Sequence, residues 1–143
     1  MLSVTEELGE AIVRAAYSDN IKERRDSSTA IFDARGRTLA QAAHIPIHLG
    51  ALLGVVEAVL RHHPVDEMRD GDMFIGNDPY AAGGTHLPDI VMTGLVFHEG
   101  HLVSFVANLG HHADFFDRGE GRHIWQEGLR IPAIRIVEGN VWC

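Results

Sequence analysis

The chain of 143 residues has a single cysteine, Cys143, so it cannot form an internal disulfide. Its stability must come from a packed core, and a reducing compartment suits it. No stretch approaches the roughly 18 apolar residues of a membrane span. The N-terminus has no basic region followed by an apolar core, so no signal peptide is expected and a cytoplasmic location is. Positive charge is scarce. The 12 Lys and Arg against 20 Asp and Glu leave a net charge of −8 with neutral histidine. Phosphate backbones need clustered cations. The nearest approach to a cluster, Lys22, Arg24 and Arg25, is interrupted by Glu23 and followed by Asp26. Neither nucleic acid nor membrane is therefore an expected partner. The sequence also contains no GxSxG, HExxH, phosphate-loop or GxGxxG pattern.

Histidine, by contrast, is plentiful, with ten residues. It is the commonest metal ligand and titrates near neutral pH. Apolar residues make up 45% of the chain and charged residues 22%, enough for one core-bearing domain over 1–143.

Hydrophobic periodicity lays out the elements. Ser3 and Glu6 have the spacing of a capping box. Val4, Leu8, Ala11, Ile12, Ala15 and Ala16 then recur at helical intervals and predict an inward face, with the helix ending near Asp19 and Asn20. A polar turn follows over 22–28. Residues 29–32 and 38–41 read as two strands joined by a turn at 33–36. His44 and His48 lie four apart, but Pro46 between them opposes a helix, so 44–48 is expected to be extended or looped. A second amphipathic helix covers 50–63, and Pro64 ends it. A short strand at 73–76 leads into a turn at 77–80 and a glycine-rich loop at 81–84. The apolar runs 90–97 and 102–107 flank Glu99-Gly100 and form a hairpin, with a partly buried extended return over 126–137. Two helices and five or six strands predict an α+β fold with a mainly antiparallel sheet.

The hairpin matters for chemistry. His86 and Asp89 precede its first strand, and His111 and His112 follow its second. Both pairs therefore meet at the open end, where imidazole and carboxylate can converge on a zinc, manganese or iron ion. Gly83 and Gly84 would let the backbone approach that ion or a substrate closely. Neighbouring residues of a strand point to opposite faces, so only one of His111 and His112 is expected to be a ligand. Asn77 to Tyr80 reads as a structural turn, with Asp78 bonding its own backbone. His98 and His101 flank the hairpin tip and should be exposed.

These segments, in order, resemble the hydantoinase B/oxoprolinase family, to which acetone and acetophenone carboxylase subunits are related. The matching stretches include NIKERRD at 20–26, AQAAHIPIHLG at 40–50, NDPY at 77–80, GGTHLPDI at 83–90, HHAD at 111–114 and QEGLRIP at 126–132. The resemblance implies a hetero-oligomer with a division of labour. A hydantoinase A/oxoprolinase-type partner subunit, or a fused region, uses ATP to phosphorylate the oxygen of a cyclic amide (a hydantoin, 5-oxoproline or a related lactam). The B-type subunit holds a divalent metal (manganese, zinc or iron) and completes hydrolysis. The family's metal ligands fall on His86, Asp89 and His111, with Asp26 as a further acidic ligand. His48 and His112 are then candidates for acid/base or supporting work. Family chains are several times longer, so this one resembles the N-terminal portion of a larger B-type subunit. The stretch after His111-His112-Ala113-Asp114 also departs from the family's usual glycine-rich loop. A carboxylase-type subunit and a truncated, non-catalytic assembly module are the alternatives.

Overall fold

The structure is a computed structural model that describes residues 1–43, 45–112 and 123–143. His44, Ala113, Asp114 and the variant loop at 115–121 lie outside the described residues. The fold is α+β, as predicted. Among the described residues, three α-helices, α1 (Leu2–Ala15), α2 (Asp19–Lys22) and α3 (His48–His62), accompany seven strands. The strands are β1 (Ser27–Asp33), β2 (Thr38–Ala43), β3 (Met73–Gly76), β4 (Asp89–His98), β5 (His101–His111), β6 (Ile134–Glu138) and β7 (Val141–Trp142). They form one sheet in the order β2-β1-β5-β4-β3-β6-β7, with every pairing antiparallel. Among the described residues, no helix is long and apolar enough to cross a membrane.

The β4–β5 hairpin lies at the centre of this sheet. Glu99 and Gly100, at its tip, both adopt positive φ, 50° and 79°. Their twist matches that of the paired strands, which is why a two-residue turn containing glycine closes such hairpins. Alternation assigns Val91, Thr93 and Leu95 of β4 to the same face as Phe105, Ala107 and Leu109 of β5 and Ala30 and Phe32 of β1. All of these are buried, and α3 covers them with Leu52, Val55, Val56 and Val59. Each fully buried phenylalanine in this core contributes roughly 1.5–3 kcal/mol of transfer free energy.

The structure corrects several expectations. Helix α1 starts at Leu2 with Met1 as its N-cap, and no side chain caps it, so Ser3 and Glu6 form no capping box. The helix ends at Ala15, and a separate four-residue α2 starts where that helix is expected to end and reaches only the first residue, Lys22, of the polar turn. The buried stripe of α1 is Thr5, Gly9 and Val13, whereas Val4 is exposed. Tertiary contact sets this rotation. Thr29 Oγ1 donates to the carbonyl of Thr5 at 2.7 Å, and Gly9 presents no side chain to hold the helix off the sheet. Leu8 and Ile12 are only partly covered and line a groove of about 270 Å³ beside Val106. Helix α3 begins at His48, two residues earlier than its apolar pattern, because Pro46 precedes the first turn instead of interrupting it.

The glycine pair also has a packing role. A Cβ on Gly54 would lie 2.7 Å from the Cα of Gly83, and one on Gly84 would lie 2.2 Å from the carbonyl oxygen of Asn77. These glycines let the loop before Thr85 pack, backbone to backbone, against α3 and against the turn at Asn77. They bring the His86 loop to the helix that carries His48.

Candidate metal centre

In the antiparallel register Asp89 faces His111 across the open end of the hairpin. The chain immediately before β1 joins them, since the His111 N–H donates to the carbonyl of Asp26 at 3.1 Å. The first turn of α3 adds His48. Five donors thus converge from β4, β5, the β1 entry, α3 and the loop before β4.

They form two overlapping groups. His86, Asp89 and His111 make one, and Asp26, His48 and Asp89 make the other; within each, one ligand-type atom per residue lies within 4.8 Å of the others. Asp89 belongs to both. His86 Nε2 is 3.2 Å from Asp89 Oδ2, and His48 Nε2 is 3.4 Å from Asp26 Oδ1 and 3.9 Å from Asp89 Oδ2. The rings of His86 and His111 stand 4.9 Å apart. A cavity of about 370 Å³ opens on this cluster, with Ile45 and Ile47 as its apolar wall.

The surrounding side chains hold the donors in place. His111 Nδ1 lies 2.7 Å from the carbonyl oxygen of His112, which requires the proton to be on Nδ1 and leaves the Nε2 lone pair free. The Asn20 side-chain amide donates to the same carbonyl at 3.4 Å; its nitrogen also stands 3.2 Å from the protonated Nδ1, a contact between two donors and not a hydrogen bond. Ser28 Oγ is 3.0 Å from His48 Nδ1, and the Thr85 hydroxyl donates to Asp89 Oδ2. Partners of this kind fix the orientation of metal-binding imidazoles and carboxylates.

Protonation follows from the same contacts. Burial alone would raise the Asp89 carboxyl, but hydrogen bonds from His86 and Thr85 and the nearby imidazoles hold it below the usual range. The bond to Asp89 raises His86. Burial pushes His48 down, against the pull of Asp89 and Asp26, and so favours the neutral ring.

The donor set suits a divalent cation. Asp26 Oδ1 and Asp89 Oδ1 are buried and accept no hydrogen bond from the described residues; His48 Nε2 lies 3.4 Å from the first, and the second has no ion-pair contact with them either. A buried carboxylate oxygen without a hydrogen bond carries a desolvation penalty that a cation would relieve. Mixed imidazole and carboxylate donors fit zinc, manganese or iron. The His86 side chain keeps 42% of its surface exposed while Asp89 keeps 2%, so the cluster is closed beneath and open above. That is the arrangement needed if a substrate is to reach an ion.

Of the residues singled out from the sequence, Asp26, His48, His86, Asp89 and His111 are together here. His112 belongs to neither donor group, and its side chain is not part of the cavity lining; it contributes through its carbonyl. Asn20, Ser28 and Thr85 were not anticipated as supports. The partners of Asn20 and Ser28 in this cluster are 92 and 20 residues away in the chain, beyond the reach of any local pattern, whereas Thr85 bonds Asp89 four residues on.

Comparison with known proteins gives a consistent picture. A family model described as Hydantoinase B/oxoprolinase matches residues 1–142. The chain is 40% identical over 147 aligned residues to 5-oxoprolinase 1 of Arabidopsis thaliana, covering 99% of this chain and 12% of that protein. The solved ATP-dependent caprolactamase from Pseudomonas jessenii superposes with a TM-score of 0.70 at 28% identity, over 95% of this chain and 27% of that one. A nucleotide-free acetone carboxylase superposes with a TM-score of 0.83 at 21% identity, over 99% of this chain and 20% of that one, a likeness of fold alone.

Proposed function

The chain belongs to the hydantoinase B/oxoprolinase family, and from that premise we propose that it is the metal-holding part of a B-type subunit for ATP-dependent hydrolysis of a cyclic amide. The substrate class is a hydantoin, 5-oxoproline or a related lactam. Two relatives with those chemistries in their names, a 5-oxoprolinase and an ATP-dependent caprolactamase, support the hydrolytic branch. The carboxylase branch rests on the fold likeness only. The observation that carries the reading is the pair of buried carboxylate oxygens on Asp26 and Asp89 that accept no hydrogen bond from the described residues, ringed by three imidazoles at the floor of a cavity.

Asp26, His86, Asp89 and His111 would hold the ion. A divalent cation there supplies a Lewis acid for a carbonyl or phosphoryl oxygen and makes water more acidic. His111 offers Nε2 because its Nδ1 proton is held by the His112 carbonyl. Thr85 orients Asp89, and Ser28 orients His48 beneath the two carboxylates. Ile45 and Ile47 give one side of the cavity an apolar lining. ATP use would belong to an A-type partner subunit in a hetero-oligomer, or to a fused region, as the family resemblance implies; the chain spans about an eighth of the Arabidopsis relative and about a quarter of the caprolactamase chain.

Elemental analysis of the purified chain, followed by calorimetric titration with manganese, zinc and iron(II), tests the site. The expected result is about one ion per cluster, lost in His86→Ala while the fold is retained by circular dichroism. Folded wild-type protein that takes up none of these ions would end the proposal. Turnover of 5-oxoproline, hydantoin or caprolactam with ATP and an A-type partner then tests the reaction.

A further inference from the structure

The segment QEGLRIP at 126–132 is left without a task by the donor cluster, yet it is clamped to it. The Asn77 side-chain amide donates to the carbonyls of Leu87 and Leu129 at 2.8 and 2.9 Å, and its oxygen accepts the Ile131 N–H at 2.6 Å. The backbone N–H groups of Asn77 and Asp78 both donate to the carbonyl of Ile131. Arg130 places two donors on Asp78 Oδ2, at 3.1 and 2.8 Å. Asn77 and Asp78 are buried, so this is a rigid joint between the segment and the loop that carries His86.

The joint aims Glu127. One of its carboxylate oxygens lies 3.4 Å from the Leu87 N–H, at the weak limit of a hydrogen bond. With Tyr80, Thr85, His86 and His123 it lines a second cavity of about 280 Å³. Thr85 and His86 also line the donor cavity, so the two spaces meet at those side chains. A cation site lies on one side of His86 and a fixed carboxylate acceptor on the other.

Ring closure dictates what such a pair reads. An open-chain secondary amide prefers trans by roughly 2.5 kcal/mol, which puts its C=O and N–H on opposite edges. A small lactam or hydantoin is locked cis, with both groups on one edge. We infer that Glu127 accepts the ring N–H of the cyclic amide while the carbonyl faces the Asp26/His86/Asp89/His111 cluster. Glu127 is then a specificity residue for cis amides that carry a free N–H. This inference rests on the cyclic-amide reading above.

The test uses the complete complex with its A-type partner, and whichever of 5-oxoproline, hydantoin and caprolactam it turns over, beside the ring-N-methyl derivative. N-methylation should raise KM by roughly tenfold to a hundredfold, the loss expected for a hydrogen bond to a charged group. Glu127→Ala should raise KM for the N–H substrate by a similar factor and leave KM for the N-methyl substrate unchanged. Glu127→Gln keeps a carbonyl acceptor and should recover most of the loss, and metal content should match wild type in both variants. Equal KM for the two substrates in wild type would overturn the inference and leave the hydrolytic reading intact. So would an equal loss on both substrates in Glu127→Ala, or a loss of metal. Absence of turnover with every cyclic amide would remove both.

Discussion

The β4–β5 hairpin carries histidines at both ends, and the ends differ in almost everything around them. At the tip, His98 and His101 face each other on the last rung before the turn. The His98 side chain is 76% exposed, and its ion-pair partner, Glu99, is 4.0 Å away and 84% exposed. Such a pair is worth about 0–1 kcal/mol and holds nothing in place. At the open end, the rung Asp89–His111 is flanked by Asp26 and His48 and supported by Ser28, Thr85 and Asn20. The tip residues His98 to His101 are exposed, whereas the open end is where a strand, a helix and a glycine-rich loop converge. Histidine count therefore says little about binding; the carboxylates and the burial around each ring decide it.

The sharpest way to break this comparison is Asp89→Asn. Asp89 belongs to both donor groups, so metal affinity should fall by more than about a hundredfold and lactam turnover should vanish, read by calorimetry and by ADP release in the complex. Retained binding would mean that the two groups do not act as one centre. Ser28→Ala should have a smaller effect. It removes the oxygen at His48 Nδ1, and loss of such a support costs roughly tenfold to a hundredfold in metal affinity. The smallest effect belongs to the tip. In the double variant His98→Ala, His101→Ala, metal affinity should stay within twofold and unfolding free energy within about 0.5 kcal/mol of wild type, measured by denaturant titration. A large loss there would erase the distinction between the two ends.

Much of the centre was legible in the residues because a hairpin has simple geometry. Two apolar runs around Glu99-Gly100 imply that whatever precedes the first strand lies beside whatever follows the second. That alone brought His86 and Asp89 to His111. Strand alternation gave the expectation that only one of His111 and His112 is a ligand; β5 ends at His111, and of the two only His111 belongs to a donor group. The inward face of α1 was not legible. Its apolar period named Val4 and Ala11, but contact with β1 through Thr5 turned the helix elsewhere. The role of Asn77 was hidden as well. As a turn residue it has a local explanation, and only contacts 10, 52 and 54 residues away reveal it as a clamp.

By itself, then, the sequence determined the fold class, the hairpin and the meeting of its terminal motifs, since hydrophobic period and turn chemistry act over a few residues. The resemblance to a family supplied Asp26 as an expectation. Only the tertiary structure put His48 on the first turn of α3 beneath both carboxylates, packed Gly54 against Gly83, and aimed Glu127 at the neighbouring cavity. Those placements depend on which backbones can touch and which buried polar groups must find partners, and both are settled only when distant segments pack together.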